Sequence, residues 1–509
     1  MPLPDSVPPL TADLFGGPTL PPPPALSEVV TTPERLEVVA REIADQRRLA
    51  FDSETNGLKW FLPEVHPIGW AIGYMRPDGV PRSVYVPVAH QTGERQLPVD
   101  IVERAFRPIL TDPTKTWETW HGKFDCHIAQ RRGLRPAGRV DDGMIRAHLL
   151  DENRSKKLKD VSALRWGNAA TAWEREVEMY RALLSRRFRT KLEDMPGFAH
   201  VPVGILGPYA CQDVCLTLMH AAEMDPLIDS SGQRAVYETE IALLQHLVDM
   251  EEFGLPVDRE FVGRLKAEFA AKEADLRARL FDAIGEVIDP NRDEELRRIF
   301  YGKLGLPVGR RTGKLREPST DKYALADLAK ACPAAQIEID RRQAAYLLSH
   351  YTDGLLEFCD AAGVCHGSFN QIAAVSGRVG CSNPNLHNIP VRTAEGRRIR
   401  EAFVVRGRGW IRCMFDYSQI ELRVLAWFSR DPVLVDAFMR GVDIHRVTAA
   451  GLFKVPIADV TKEQRYKGKT CNFALRYGQQ SKKMALTTGY SEPECVEMIR
   501  EFWSTYAAT

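Results

Sequence analysis

The chain has no uninterrupted run of 18 or more apolar residues, so an ordinary membrane-spanning helix is not expected. It has no net charge. Its 68 Lys and Arg balance its 68 Asp and Glu, so bulk electrostatics names no polyanionic partner, and any basic surface must be local. Its ten cysteines form no C-x-x-C pair, which argues against a zinc ribbon or a dithiol redox motif and fits a reducing cytoplasmic setting. Cys211 and Cys215 lie four apart on an expected helix and read as two small buried residues. The N-terminus lacks the basic start and apolar stretch of a secretory signal. What is present is ordinary for a soluble protein: 44% hydrophobic and 27% charged residues, in a length of 509 that calls for about three domains.

Residues 1 to about 27 hold nine prolines, including Pro21 to Pro24, and are expected to form a disordered tail. Within it, Ala12-Asp13-Leu14-Phe15 resembles bacterial sliding-clamp-binding peptides, which makes a clamp a possible partner; a chance match in a long tail is the alternative. Folded sequence begins near Pro33, with helical spacing from Glu34 to Gln46 and a strand at Arg48-Leu49-Ala50-Phe51-Asp52.

Asp52 and Glu54 are two apart, so an extended backbone sends both carboxylates to one face. Two carboxylates there repel unless a cation lies between them, and a divalent ion is the usual answer. A second short strand, Trp117 to Trp120, leads into His121-Gly122-Lys123-Phe124-Asp125, and Tyr209 and Asp213 share one helical face. Each motif alone reads as a solvated acidic residue. In this order, D-x-E, K-F-D and Y-x-x-x-D resemble the three motifs of the DnaQ-like 3′-5′ proofreading exonucleases. Asp142-Gly143-Met144 through Leu150, Asn153-Arg154 and Leu158-Lys159-Asp160 resemble the same module. The resemblance implies two magnesium ions, with manganese as a substitute, held by Asp52, Glu54, Asp125 and Asp213. These ions activate a water that Tyr209 orients. His121 stands where such enzymes usually carry Asn, which bears on how the strand is gripped.

From Glu238 to Gly354 the sequence is helical, with Gly254-Leu255-Pro256-Val257-Asp258 separating two amphipathic segments that read as a helical hairpin or a coiled-coil spacer. The loop Gly309-Arg310-Arg311-Thr312-Gly313-Lys314 suits phosphate contacts or simple solvation. Phe369-Asn370-Gln371, Ser376-Gly377-Arg378-Val379 and Asn383 through Pro390 are rich in small residues and amides. Such a run suits a duplex minor groove, where Arg378, Asn385 and Asn388 can reach acceptors common to all base pairs. Arg392 to Arg408 adds six arginines against two glutamates, a basic surface or a solvated face.

Trp410 to Phe415 reads as a short buried strand ending at Asp416. Arg465, Lys469, Phe473 and Tyr477 then fall four apart, one helical stripe of two cations and two rings, matching the polarity of a nucleoside triphosphate. Asp416 to Arg423, the Ser376 to Pro390 run and Arg465 to Gly478 resemble, in order, the motifs of the family A DNA polymerases. The resemblance makes Asp416, with the Tyr417 carbonyl, the magnesium ligand. It places Glu421 against the sugar to select deoxynucleotides, with Arg423 bracing it at the DNA. His445, Arg465 and Lys469 reach the triphosphate, and Phe473 and Tyr477 the sugar and base. The family's third palm motif, His-Asp-Glu, occurs nowhere in the 509 residues.

The expected architecture is a mixed α/β and α+β chain. An RNase H-like exonuclease domain (31–225) follows the tail (1–30) and precedes the palm start and helical thumb (226–365) and a partial palm and fingers (366–509) of a right-hand polymerase. Three functions compete: a proofreading DNA polymerase completed by a second chain, a stand-alone exonuclease with a DNA-binding remnant, and a non-catalytic DNA-binding subunit. The first is favoured, with primer-template DNA and deoxynucleoside triphosphates as partners and no polymerisation by this chain alone. An unfinished palm should expose an apolar face.

Overall fold

The computed structural model describes residues 25–191, 197–313, 315–391, 393–475, 478–488 and 490–507; the Ala12–Phe15 motif, most of the tail, Lys314 and Tyr477 lie outside them. The chain divides into two compact units, Met1–Arg408 and Gly409–Thr509.

The first unit begins with β1 (Leu26–Val29) and α1 (Pro33–Ala44), whose N-cap Thr32 side chain accepts from the Arg35 N–H and whose first residue is proline. There follow β2 (Arg48–Thr55), β3 (Pro67–Met75), β4 (Pro81–Pro87), α2 (Val99–Leu110), β5 (Thr116–Thr119), α3 (Gly122–Arg131) and β6 (Arg139–Asp142). The six strands form one sheet in the order β1-β4-β3-β2-β5-β6. The β2, β3 and β4 strands run antiparallel, whereas β5 and β6 join β2 in parallel. Helices α4 (Gly143–Leu150), α5 (Leu158–Trp166), α6 (Ala172–Phe188) and α7 (Val203–Ser230) complete the layer.

Strand β2 is buried on both faces, and its alternation decides where the acids point. Leu49 and Phe51 join a core with Val39 of α1 and Val102 and Phe106 of α2. Ala50, of opposite parity, joins a second core with Val214 and Leu218 of α7. Asp52 and Glu54 share the parity of Ala50 and so belong to the α7 side. The close approach of Tyr85 needs a glycine opposite Glu54: a Cβ on Gly69 would fall 2.0 Å from the Tyr85 hydroxyl.

Behind the sheet, Arg146 of α4 is fully buried. Its guanidinium donates to Glu118 (2.7 Å) and to Asp225 (2.8 Å) and lies 4.9 Å from the Tyr237 ring, while Tyr237 donates to Asp141 (3.0 Å). Helix α8 (Arg234–Phe253) supplies Tyr237 and packs on α3 and β6.

After β7 (Leu255–Pro256), α9 (Arg259–Ile284) packs instead against α12 (Pro333–Leu348), reached through α10 (Asp293–Arg297) and α11 (Lys322–Ala329). The expected helical hairpin is therefore not formed. The apolar face of α8 finds the exonuclease-side core, and that of α9 finds α12, because each face must be covered and better partners than the other helix are available. The unit ends with α13 (Gly354–Glu357), β8 (Val364–Cys365), paired to β7, the antiparallel pair β9 (Ser368–Asn370) and β10 (Gly380–Ser382), and α14 (Ala394–Glu401).

The second unit is helical: α15 (Ile420–Ser429), α16 (Pro432–Met439), α17 (Ile444–Phe453), α18 (Lys462–Leu475), α19 (Ser481–Thr488) and α20 (Glu492–Thr505). They share a core of Leu422, Leu434, Ile444, Cys471, Cys495 and Phe502. The strand expected at Trp410–Phe415 is absent. The segment is irregular and solvated, with Met414 84% and Phe415 93% exposed. A strand satisfies its backbone only beside another strand, and none occurs among the described residues of this unit.

Replacing Arg146 by Met should cost about 3–5 kcal/mol, because the buried Glu118 loses its buried partner and keeps only the exposed Arg48. Urea unfolding followed by tryptophan fluorescence checks this; a loss under 1 kcal/mol would mean that Arg48 alone neutralises Glu118.

Candidate active site

Strand β2, helix α3 and helix α7 bring the first five candidate residues together. Asp52 and Glu54 leave β2 on the α7 side, and Glu54 is buried. Asp125 lies in the first turn of α3, also buried, and is pinned to β2: the Ser53 backbone N–H (2.9 Å) and hydroxyl (2.6 Å) both donate to its Oδ1. Tyr209 and Asp213 lie one turn apart on α7.

Helix α3 starts where it does because Asp142, at the end of β6, accepts from the N–H groups of His121 (3.3 Å) and Gly122 (2.8 Å), while caging its own helix by accepting from Met144 N–H (2.7 Å). His121 takes a left-handed backbone conformation at this junction (φ 69°). Burial holds its imidazole below the ordinary histidine range.

Lys159 of α5 enters the same space. It is buried, makes an ion pair with Asp213, and lies 4.2 Å from the centre of the Tyr209 ring. Sequence reasoning noted the Leu158-Lys159-Asp160 stretch without giving Lys159 a role, and it missed Ser53. Neither has a spacing signal, since Ser53 acts through a contact with α3 and Lys159 through a helix fold-back.

The electrostatics follow from burial. It raises Asp52 to about 6, against the pull of Lys159 and of the Ser53 N–H. Burial, then the charge of Asp52, drives Glu54 well above the carboxylate range; the same two causes raise Asp125 despite its bonds from Ser53. Burial also keeps the Tyr209 phenol neutral far beyond ordinary pH. Lys159 is pulled down to about 8 by burial, with Glu174, Asp52 and Glu54 opposing.

No three His, Cys, Asp or Glu groups among the described residues are gathered as a ready ion cage. The donor set nevertheless fits a hard divalent cation: the candidate ligands are all carboxylates, and three of them repel one another in a buried space.

Helix α3 is also held from the other side. Lys123 and His127 flank Asp125 by two residues each and both bond to Glu251 of α8; His127 bonds Glu252 as well (2.9 Å) and stacks on Trp60 at 3.8 Å. Glu251 in turn accepts the Phe369 N–H (2.6 Å), and Lys123 donates to the Phe369 carbonyl. Asn385 and Asn388 are exposed beyond this strand, as is Arg378, with the Asn385 side chain accepting from the His387 N–H (3.1 Å). In the loop before α11, Arg310 lies 5.1 Å from the Tyr323 ring and 3.9 Å from Asp327, so one of its cations already has an acidic neighbour.

In the second unit, Asp416 and Tyr417 are exposed on the irregular segment, while Glu421 lies in the first turn of α15. Arg423 donates to the Ser418 carbonyl (2.9 Å) and lies 4.7 Å from the Phe438 ring. Arg465, Lys469 and Phe473 do share α18. Arg465 bonds Asp443 (2.6 Å), Lys469 lies 5.7 Å from the Phe473 ring, and Phe473 lies 6.0 Å from the His445 ring. His445 is buried, its Nδ1 bonded to the Asn472 amide (2.9 Å).

A family description for DNA polymerase family A matches residues 259–509, and one for 3′-5′ exonuclease matches residues 27–229. The chain belongs to the family A DNA polymerases. It is 32% identical over 494 residues to DNA polymerase I of Pseudomonas aeruginosa, covering 94% of this chain and 51% of that protein. To the Chloroflexus aurantiacus DNA polymerase I it is 32% identical, covering 98% and 52%. The chain thus spans about half the length of the curated relatives it matches. Among solved structures, the POL domain of Pol1 from M. smegmatis, in complex with DNA primer-template and dNTP, superposes with a TM-score of 0.71 at 26% identity, covering 95% of this chain and 76% of that one. This family A chain has no helix, among its described residues, long and apolar enough to cross a membrane.

The raised carboxyls predict a pH signature. A carboxyl whose folded value lies above its unfolded value of about 4.3 costs the fold nothing at pH 4, and progressively more as pH rises. Glu54→Gln should therefore stabilise the chain in chelator at pH 8 by about 1–3 kcal/mol and leave it unchanged at pH 4. Thermal melts at the two pH values check this; an equal gain at both would assign the effect to packing.

Proposed function

We propose that this chain is the proofreading part of a DNA polymerase, removing nucleotides from the 3′ end of a primer, and that its second unit contributes the motif A and fingers residues of the polymerase site. What supports the exonuclease reading is the convergence of Asp52, Glu54 and Asp125 with Tyr209 and Asp213 at one end of the sheet, in a setting that raises carboxyls unless positive charge is supplied.

Asp52, Glu54, Asp125 and Asp213 are the ligands for divalent ions, magnesium in the cell with manganese able to replace it, two to a site. Bound there, the ions supply Lewis-acid activation of water and stabilise the departing 3′ oxygen. Asp125 is kept in register by Ser53. Tyr209, neutral at working pH, donates a hydrogen bond that orients the attacking water. Hydrolysis adds that water across the terminal phosphodiester and releases a nucleoside monophosphate.

Arg378, Asn385 and Asn388 contact primer-template DNA. Asp416 and the Tyr417 carbonyl hold metal; Glu421 selects deoxynucleotides and Arg423 faces the DNA. His445, Arg465 and Lys469 bind the triphosphate, with Phe473 and Tyr477 at the sugar and base. Among the described residues Asp416 stands on an irregular, solvated segment, and its part in the polymerase site calls for strands beside Trp410–Phe415, supplied by further polymerase polypeptide. The working compartment is the cytoplasm, and a sliding clamp that takes Ala12–Phe15 is a possible tether.

A labelled primer-template incubated with magnesium tests this reading. The 509-residue chain should shorten the primer and not extend it when deoxynucleotides are added. Asp52→Ala should abolish shortening by 10³-fold or more, of the order seen when one member of a catalytic unit is removed, and Asp416→Ala should leave it intact. Extension that Asp416→Ala abolishes would show that the polymerase site is complete without a further strand.

A further inference from the structure

The five candidate exonuclease residues leave one charged group in their midst without a task. Lys159 is buried on α5, in an ion pair with Asp213 and 4.2 Å from the face of Tyr209, and its charge acts on Asp52, Glu54 and Glu174. An ammonium group buried at a site requires compensation by negative charge, and the acids around it require the converse. Lys159 Nζ is held by the Asp213 carboxylate and by the face of the Tyr209 ring. Its departure costs one ion pair and one ring contact, which a divalent ion at the same carboxylates replaces.

We propose that Lys159 is the resident counter-ion of the exonuclease site: it neutralises Asp213 and its neighbours when no divalent ion is bound, and competes with that ion for the same carboxylates. The inference rests on the exonuclease reading above. A divalent ion reaching Asp213 displaces the ammonium group, so the lysine weakens metal binding while protecting the metal-free fold from carboxylate repulsion. The chain is thereby stable before metal and DNA arrive. Lys159 is a positioning residue here, since it acts through Asp213 and Tyr209 rather than on the substrate.

Two variants of the full 509-residue chain test this, with Mn²⁺ as the probe, its binding read by electron paramagnetic resonance and calorimetry and its effect on melting read with and without chelator. Lys159→Met keeps the stem and removes the charge. It should bind Mn²⁺ about tenfold more tightly than wild type, melt lower in chelator, and gain more from Mn²⁺. Lys159→Arg keeps the charge and should retain wild-type affinity. Wild-type affinity in Lys159→Met, or Lys159→Arg binding as tightly as Lys159→Met, would overturn the proposal. A Lys159→Met chain that is unfolded in chelator and folds with Mn²⁺ supports it; one unfolded in both overturns it, making Lys159 a structural prop of α5 against α7. Degradation of primer by wild type with unchanged affinity in Lys159→Met refutes this inference alone, whereas a wild type that neither binds Mn²⁺ nor degrades DNA refutes the exonuclease reading beneath it.

Discussion

Carboxylates that are buried together repel, and the first unit is arranged around that repulsion. Glu54 and Asp125 are buried and Asp52 lies beside them, and each is driven above its ordinary protonation range by loss of water. A protein without a task for such a cluster would place it in solvent, where each acid is worth more ionised. Here the geometry is enforced by strong local devices. Ser53 fastens Asp125 to β2 with two bonds, Asp142 fixes the start of α3, and α7 lays Tyr209 and Asp213 against the same strand end. The stability lost to repulsion is recovered in the apolar cores on both faces of the sheet. The rest of the domain thus holds this cluster in an unfavourable state.

The same helix that carries Asp125 is bound to the polymerase-side segment of the first unit. Burial works to raise Glu251, yet the bonds from His127 and the charge of Lys123 hold it below the ordinary range, so it persists as an anion linking α3, α8 and β9. With His127 bonded at both nitrogens and stacked on Trp60, α3 has little freedom to rotate. Phe369, which begins the run proposed to contact the duplex, is thus tied through one carboxylate to Lys123 and His127, each two residues from Asp125. This is a structural route between the two ends of the unit.

The second unit shows the opposite balance. Its helices close a small core, and Arg465, Lys469 and Phe473 lie on one helix as their spacing requires. Along Trp410 to Tyr417 and the outer side of α15, however, Ile411, Met414, Phe415, Trp427 and Phe428 are exposed, an apolar surface too extended for isolated surface residues.

Local periodicity carried the parts of this protein that depend on neighbouring residues. The two-residue alternation of β2 put Asp52 and Glu54 on one face, the four-residue spacing put Tyr209 with Asp213 and Arg465 with Lys469 and Phe473, and Gly254 to Asp258 marked a helix break. The family resemblance, lying in short ordered motifs, was legible for the same reason. Contacts between distant segments were not. Nothing local says that Ser53 will bond Asp125, that Lys159 will fold back onto Asp213, or that α8 and α9 will seek separate partners. The segment before Asp416 makes the limit plain: its residues favour a strand, but a strand exists only where another backbone meets its hydrogen bonds, and that partner is a property of tertiary structure.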